Sequence, residues 1–283
     1  IKSSAASDVY KRQSYNCAEF VIMALASAYA GFSLVVLNPR LSDEERNVRM
    51  MELETATHQK DIPVVTEQAL KNALVESLGM ELLELSRLGD GQIPINSYTM
   101  GILDFAQERE EAYDSSSCGV IMFTSGTSGT PKAAKLLWED LMGAAVAANE
   151  RLLVPRKGMW QLVLPLCHVG GLEVMVRCLL NGNPFILYKR YSVQGILNDV
   201  LTFNVTHISV VDKILRDLLE NDKDKIISQY KCILLGGSAL NDKTIKRALR
   251  AKARVYASYG MTETSSMIAC SRVTRSFDGG LEL

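Results

Sequence analysis

Two apolar patterns alternate along the chain from Ala18 onward. Stretches with helical spacing are separated by short runs in which almost every residue is apolar. Ala18 to Tyr29 predicts a helix and Leu34 to Leu37 a strand, which Pro39 ends. Ser42 and Glu45 fit a capping box, a hydroxyl and a carboxylate three residues apart that satisfy the free N–H groups opening a helix. Ile62 to Val65 is a short strand candidate, Glu67 to Glu84 reads as helical, and Arg87 to Thr99 as a connector without a firm period. Further on, strands are expected at Gly119–Thr124, Trp160–Leu166, Pro184–Leu187, His207–Val211, Cys232–Leu235 and Arg254–Tyr259. Helices are expected at Trp138–Arg151, Gly170–Leu180, Val193–Leu201, Asp212–Glu220 and Asp242–Arg250. Strands that are apolar throughout have both faces covered, so this alternation predicts an α/β fold with mostly parallel sheets covered by helices.

Phe20 to Leu37 runs eighteen residues without a formal charge, long enough to raise a membrane span. Ser27, Tyr29, Gly31 and Ser33 interrupt it, and a helix, a turn at Gly31 and a buried strand fit better. Residues 1–13 are polar and lack a period. They read as a tail or non-native segment, with a simple N-terminal arm as the alternative. The 283 residues, 47% hydrophobic, suffice for a sizeable core. Lys plus Arg is 31 and Asp plus Glu is 32, so no basic excess points to nucleic acid or an anionic membrane. Cys17, Cys118, Cys167, Cys178, Cys232 and Cys270 show no CxxC spacing and, with three histidines, complete no zinc pattern. Buried thiols of a reducing compartment are the expectation.

Candidate chemistry is concentrated in Thr124-Ser-Gly-Thr-Ser-Gly-Thr-Pro-Lys132, read as a loop between a strand and a helix. Gly126 and Gly129 permit tight turns and close backbone approach. Consecutive N–H groups in such a turn form an anion nest. Hydroxyls of Thr124, Ser125, Thr127, Ser128 and Thr130 add donors, and Lys132 is a point charge for a terminal phosphate. The GxxxxGK[ST] pattern of a Walker loop is absent. Tyr259-Gly-Met-Thr-Glu263 adds a carboxylate able to hold Mg²⁺, which prefers hard oxygen ligands and uses few protein carboxylates. Residue by residue, the bland alternatives are a mobile surface turn, a solvated Glu263 and an ordinary core Tyr259.

These motifs resemble those of the adenylate-forming family of acyl-CoA synthetases, luciferases and peptide-synthetase adenylation domains. The family loop [ST]SG[ST][ST]GxPKG is met by TSGTSGTPKA, with Ala133 in place of the last glycine. The YGxTE signature is met by Tyr259 to Glu263, and Leu235-Gly-Gly-Ser238 resembles the turn lining the adenine and acyl pockets. The resemblance covers nearly everything after residue 14. It implies that residues 14–283 form an incomplete AMP-binding large domain, ending before the ribose-binding aspartate and the C-terminal lid domain with its lysine, so that the chain alone would be poorly active.

Carried over, Thr124, Ser125, Gly126, Thr127, Ser128, Gly129, Thr130 and Lys132 would hold the ATP phosphates. Glu263, helped by Thr127, would hold Mg²⁺. Gly236, Gly237, Ser238, Tyr259 and Gly260 would line the nucleotide site, and Thr262 would bond near the phosphate or acyl carboxylate. Thr127, Lys132, His168 and Glu263 are the implied catalytic set. His168 lies in Leu164-Pro-Leu-Cys-His-Val-Gly-Gly171, similar to the family's PLxH segment, where it would contact the acyl group or be only structural. His207, ahead of a strand, reads as a packing residue.

The run through Arg177 and Leu180, with Thr206–Val211 and Leu37–Leu41, is most similar to the o-succinylbenzoate–CoA ligases of menaquinone synthesis. The implied reaction activates a carboxylic acid with ATP and transfers the acyl group to coenzyme A, in the cytoplasm, with homo-oligomerisation left open. The alternatives are another aryl- or medium-chain acyl-CoA ligase, or a nucleotide-binding module without catalysis.

Overall fold

The computed structural model describes residues 9–13, 16–31, 33–57, 64–65, 93–94, 119–124 and 131–274. Two sheets are built from them. The first has the strand order β3-β1-β2-β5-β6, from β1 (Val9–Gln13), β2 (Ser33–Leu37), β3 (Val64–Val65), β5 (Gly119–Thr124) and β6 (Lys132–Leu137). The second has the order β12-β11-β10-β9-β7-β8-β4. Its members are β4 (Ile93–Pro94), β7 (Trp160–Leu162), β8 (Phe185–Leu187), β9 (His207–Val210), β10 (Cys232–Leu235), β11 (Val255–Met261) and β12 (Ser266–Arg272). All pairings are parallel except at β5–β6, β11–β12 and β4–β8. The α/β architecture with mostly parallel sheets is therefore present.

Alternation along single strands assigns the layers. Leu34 and Val36 of β2 point into one apolar cluster, and Val35 and Leu37 into another with Met50 and Leu53 of helix α2 (Asp43–Thr57). Cys232 and Leu234 of β10 join the first cluster, while Ile233 and Leu235 face the helices beyond the second sheet. Helices α1 (Ala18–Ala30), α3 (Trp138–Arg151) and α4 (Val169–Asn181) fill the layer shared by both sheets. Helices α5 (Val193–Phe203), α6 (Asp212–Asn221) and α7 (Asp242–Arg250) cover the outer face of the second sheet. Strands β2, β8 and β10 are buried at every residue, which is why their sequences read as nearly unbroken apolar runs.

Helix ends follow local chemistry. Glu45 N–H donates to Ser42 Oγ at 3.2 Å and Ser42 N–H to Glu45 Oε2 at 2.8 Å, the expected capping box. Gly31 ends α1 with φ +74°, the left-handed turn that breaks the apolar stretch into helix and strand. Among the described residues no helix is long and apolar enough to cross a membrane.

Several expectations need correction. Val9–Gln13, read as part of a polar tail, is a strand parallel to β2 and β3. Lys132–Leu137, the end of the expected loop and the unassigned residues before the helix at Trp138, is an antiparallel edge strand. Its alanines and lysines carry little strand propensity, and the pairing with β5 overrides them. The run from Trp160 leaves the sheet at Leu162, because Leu164 O and Leu166 N–H are both bonded by the side chain of Asn16, at 2.9 and 2.7 Å. Strand β12 went unread, and Ile93–Pro94 is a short strand within the expected connector. Ile62–Val65 is described only at Val64–Val65, and the helix expected over 67–84 lies outside the described residues.

His207 is a packing residue, as expected. It is 1% exposed, stacks on Trp160 with centroids 4.9 Å apart, and shares a 2.6 Å contact between Nδ1 and Thr206 Oγ1. Burial, and the charges of Lys231 and Arg177, push its pKa down to about 4. The unfolded chain therefore takes up a proton near pH 6.5 that the native state refuses, and stability should fall as the pH drops from about 6.5 through about 4. Denaturant melts across this range should show a loss of up to about 3 kcal/mol that His207→Asn abolishes. A Cβ at Gly171 would sit 2.2 Å from Pro165 O, main chain against main chain. Gly171→Ala should cost about 1–3 kcal/mol in the same melts.

Candidate active site

In the second sheet the chain runs from β7 outward to β8 and then returns to the other side of β7 to lay down β9, β10 and β11. Loops at the carboxyl ends of β7 and β9 therefore diverge, and such reversal points leave a crevice above the strands. A cavity of about 400 Å³ lies there. Its walls come from the segment after β7 (between Leu164 and Gly171), the end of β9 (Ser209 to Val211), Gly236 and Gly237 after β10, Ser258, and Gly260 to Thr262. A second cavity, about 700 Å³, opens at the carboxyl ends of β2 and β5. Asn38, Arg49, Thr124, Lys132, Cys167 and Glu263 contribute to it. His168, Gly237, Met261 and Thr262 line both, so the two spaces meet at these residues.

Thr124 and Lys132 face each other across the β5–β6 pair, with Thr124 Oγ1 3.5 Å from Lys132 O. The candidate phosphate loop thus springs from two paired strands, which fixes the position of both its ends. Ser125, Gly126, Thr127, Ser128, Gly129 and Thr130 lie outside the described residues. Ala133, the departure from the loop pattern, donates its N–H to Glu52 Oε1 at 3.0 Å. That bond ties the loop's exit to α2.

Of the second motif, Tyr259, Gly260 and Met261 belong to β11, and Thr262–Thr264 form a single 3₁₀ turn into β12. Met261 N–H donates to Thr264 Oγ1 at 3.1 Å, which presents Thr262 at the junction and Glu263 to the larger cavity. Tyr259 is 54% exposed and lines neither cavity, so it is not a core aromatic. Gly236, Gly237 and Gly260 are in the cavity walls, Gly237 with φ +79°, whereas Ser238 is exposed and lines neither. Among the described residues no cluster of three acidic, histidine or cysteine side chains could cage a metal. One exposed carboxylate beside open space fits Mg²⁺, which completes its shell with water and substrate phosphates.

His168 precedes the first residue of α4 and makes no side-chain cap bond. Its ring is exposed to the cavities yet ringed by protein, and the desolvation lowers its pKa below the ordinary histidine value. Burial pushes the neighbouring Cys167 thiol up to about 11, so it is inert at neutral pH. No disulfide joins the five cysteines among the described residues, and four of them are buried.

Arg177 was not singled out as a site residue, yet it lines the smaller cavity from within α4. It is 2% exposed. Its Nε donates to Glu173 O at 3.1 Å, its Nη2 lies 3.4 Å from Ser209 Oγ, and its guanidinium sits 5.0 Å from the Trp160 ring centroid. Among the described residues no carboxylate forms an ion pair with it. The sequence signal was present: one arginine in the apolar run Val174–Leu180 of a helix that opens at His168. A charge in such a run is costly to bury without a task.

The chain is 27% identical over 256 residues to a 2-succinylbenzoate–CoA ligase of Oceanobacillus iheyensis, covering 90% of this chain and 50% of that one. It is 30% identical over 256 residues to a 2-succinylbenzoate–CoA ligase of Bacillus cereus, covering 89% and 48%. It thus spans about half the length of the curated relatives it matches. Among solved structures, the o-succinylbenzoate coenzyme A synthetase of Bacillus subtilis in complex with AMP superposes with a TM-score of 0.69 at 26% identity, over 93% of this chain and 63% of that one. The same enzyme with the acyl-adenylate intermediate gives 0.70 at 26%, over 94% and 64%. The match to the AMP-binding enzyme family extends over residues 13–280, and the chain belongs to that family.

Proposed function

We propose that this chain carries the ATP and acid sites of an AMP-forming acid–thiol ligase acting on o-succinylbenzoate. The observation that carries the reading is the junction of the two cavities. One holds Lys132 and Glu263, suited to phosphates and their metal, and the other holds a buried guanidinium. The names of the relatives from O. iheyensis and B. cereus, and the adenylate bound by the B. subtilis enzyme, support the same substrate.

ATP would lie in the larger cavity, its phosphates against Lys132 and the loop from Thr124, with Ser125, Gly126, Thr127, Ser128, Gly129 and Thr130 as further donors. Glu263, with Thr127, would hold Mg²⁺. When bound, the metal neutralises charge on the phosphate oxygens. The acid's carboxylate would meet the α-phosphate at the junction, beside Thr262, Gly237 and His168. A carboxylate oxygen forms a bond to the α-phosphorus while the bond to the bridging oxygen breaks, and pyrophosphate leaves. The coenzyme A thiol then attacks the acyl carbon, and AMP leaves with the carboxylate oxygen. The nucleophile is already anionic, so the task is to bring two anions together and offset their repulsion. His168, held neutral by desolvation, bounds the junction without adding charge.

Arg177 supports the choice of acid. A buried guanidinium in the wall of the acyl cavity favours a substrate with a second carboxylate, since a ligand anion replaces the counter-ion it lacks. In the full-length protein, calorimetric titration should favour a stable o-succinylbenzoyl-adenylate analogue over benzoyl and fatty-acyl analogues. Arg177→Met should weaken the o-succinylbenzoyl compound roughly 10–100-fold and leave the benzoyl one unchanged. Equal binding of all three analogues would move the assignment to another acyl-CoA ligase. Glu263→Gln should cut carboxylate-dependent pyrophosphate release at least about 100-fold, in line with losing a preorganised charge contact. ATP binding with no such release in the unmodified protein would leave only a nucleotide-binding module.

A further inference from the structure

One helical turn before Arg177, Glu173 is also buried, at 2% exposure. Its backbone oxygen, not its carboxylate, accepts from Arg177 Nε, and among the described residues its Oε1 has no hydrogen-bond partner. Glu173 does not line the cavity, whereas Arg177 does. An ionised carboxylate with a bare oxygen in an apolar core is costly, and a neutral acid far less so.

We propose that Glu173 sets the charge of the acyl cavity: as a neutral acid it leaves Arg177 uncompensated and ready to receive a second carboxylate on the substrate, and when ionised it competes for that cation. The proposal rests on the reading of Arg177 as the substrate's anion receptor and adds a positioning residue behind it. Desolvation outweighs the attraction of Arg177 and raises the Glu173 pKa to about 8. Of the groups around the pair, Cys178, Cys232 and His207 titrate outside that range. Burial pushes the thiols of Cys178, on the same helix, and Cys232, on β10, far up. His207, on β9, is neutral above about pH 4, and Ser209 and Trp160 carry no charge. Cys270 faces Arg177 from β12, where its carbonyl accepts from Arg151 of α3. Asn149 of α3 donates to Arg177 O at 3.0 Å.

The sign follows. Below about pH 8 Glu173 holds its proton and the receptor is open, and above it the receptor is increasingly occupied from within. The test is calorimetric titration of the full-length protein between pH 6.5 and 9.5, using stable adenylate analogues of o-succinylbenzoate and of benzoate. The o-succinylbenzoyl analogue should bind about tenfold more weakly at pH 9 than at pH 7, with the benzoyl analogue flat. Glu173→Gln keeps the shape without the acid and should hold the affinity for the o-succinylbenzoyl analogue level across the range. Glu173→Met, a second neutral variant of similar length, should do the same, and circular dichroism identifies which variants are folded. A pH slope that survives in the folded variants overturns the role of Glu173. So does a flat profile in the unmodified protein that still prefers the o-succinylbenzoyl analogue. Equal affinity for both analogues at every pH overturns the reading of Arg177 itself.

Discussion

Helix α4 is wedged between two sheets, and the rest of the site depends on that packing. Nine consecutive residues, Gly171 to Leu179, are buried. No side of such a helix can be polar at low cost, so its sequence must be apolar around the whole turn. Within it, Glu173 and Arg177 are exceptions that a purely structural helix would not keep. Because α4 starts at the end of β7, its first turn reaches the junction of the cavities at His168, and two turns later Arg177 reaches the smaller cavity. One element thereby sets both ends of that cavity.

Polar contacts inside the core fix how the layers meet. Asn16 bonds the main chain on both sides of Pro165, joining the start of α1 to the segment that leads into α4. On the far side of the second sheet, Gln161 donates to Tyr188 and to Ile196 O, and accepts from Tyr230, while Tyr188 donates to Asp199. Such networks contribute little net stability, but each group left without a partner would cost about 1–3 kcal/mol, so they select one register of strands and helices.

Much of the fold was legible because burial on both faces writes a simple pattern. The helices Trp138–Arg151 and Asp242–Arg250 fall where the apolar spacing places them, and Cys232–Leu235 matches its strand residue for residue. Edge strands were the harder case. Lys132–Leu137 carries alanine and lysine, and Ser266–Arg272 is mixed, because an edge strand answers to one neighbour and to solvent. The polar strand Val9–Gln13 has no apolar run to announce it, and it pairs in parallel with both β2 and β3.

The sequence alone determined the candidate chemistry. A hydroxyl- and glycine-rich turn ending in Lys132, and a carboxylate at Glu263, are local facts about donors, charge and backbone freedom, and their order on the chain marked the family. Only the tertiary structure decided which residues share a space. Lys132 and Glu263 are 131 positions apart, yet both line one cavity, whereas Tyr259, from the motif of Glu263, and Ser238, from the Gly236–Gly237 turn, do not line it. Arg177 counts as a site residue only because the strand order reverses at β7 and opens a crevice above it. Among the described residues no carboxylate forms an ion pair with it, a property of the surrounding layers that no stretch of sequence carries.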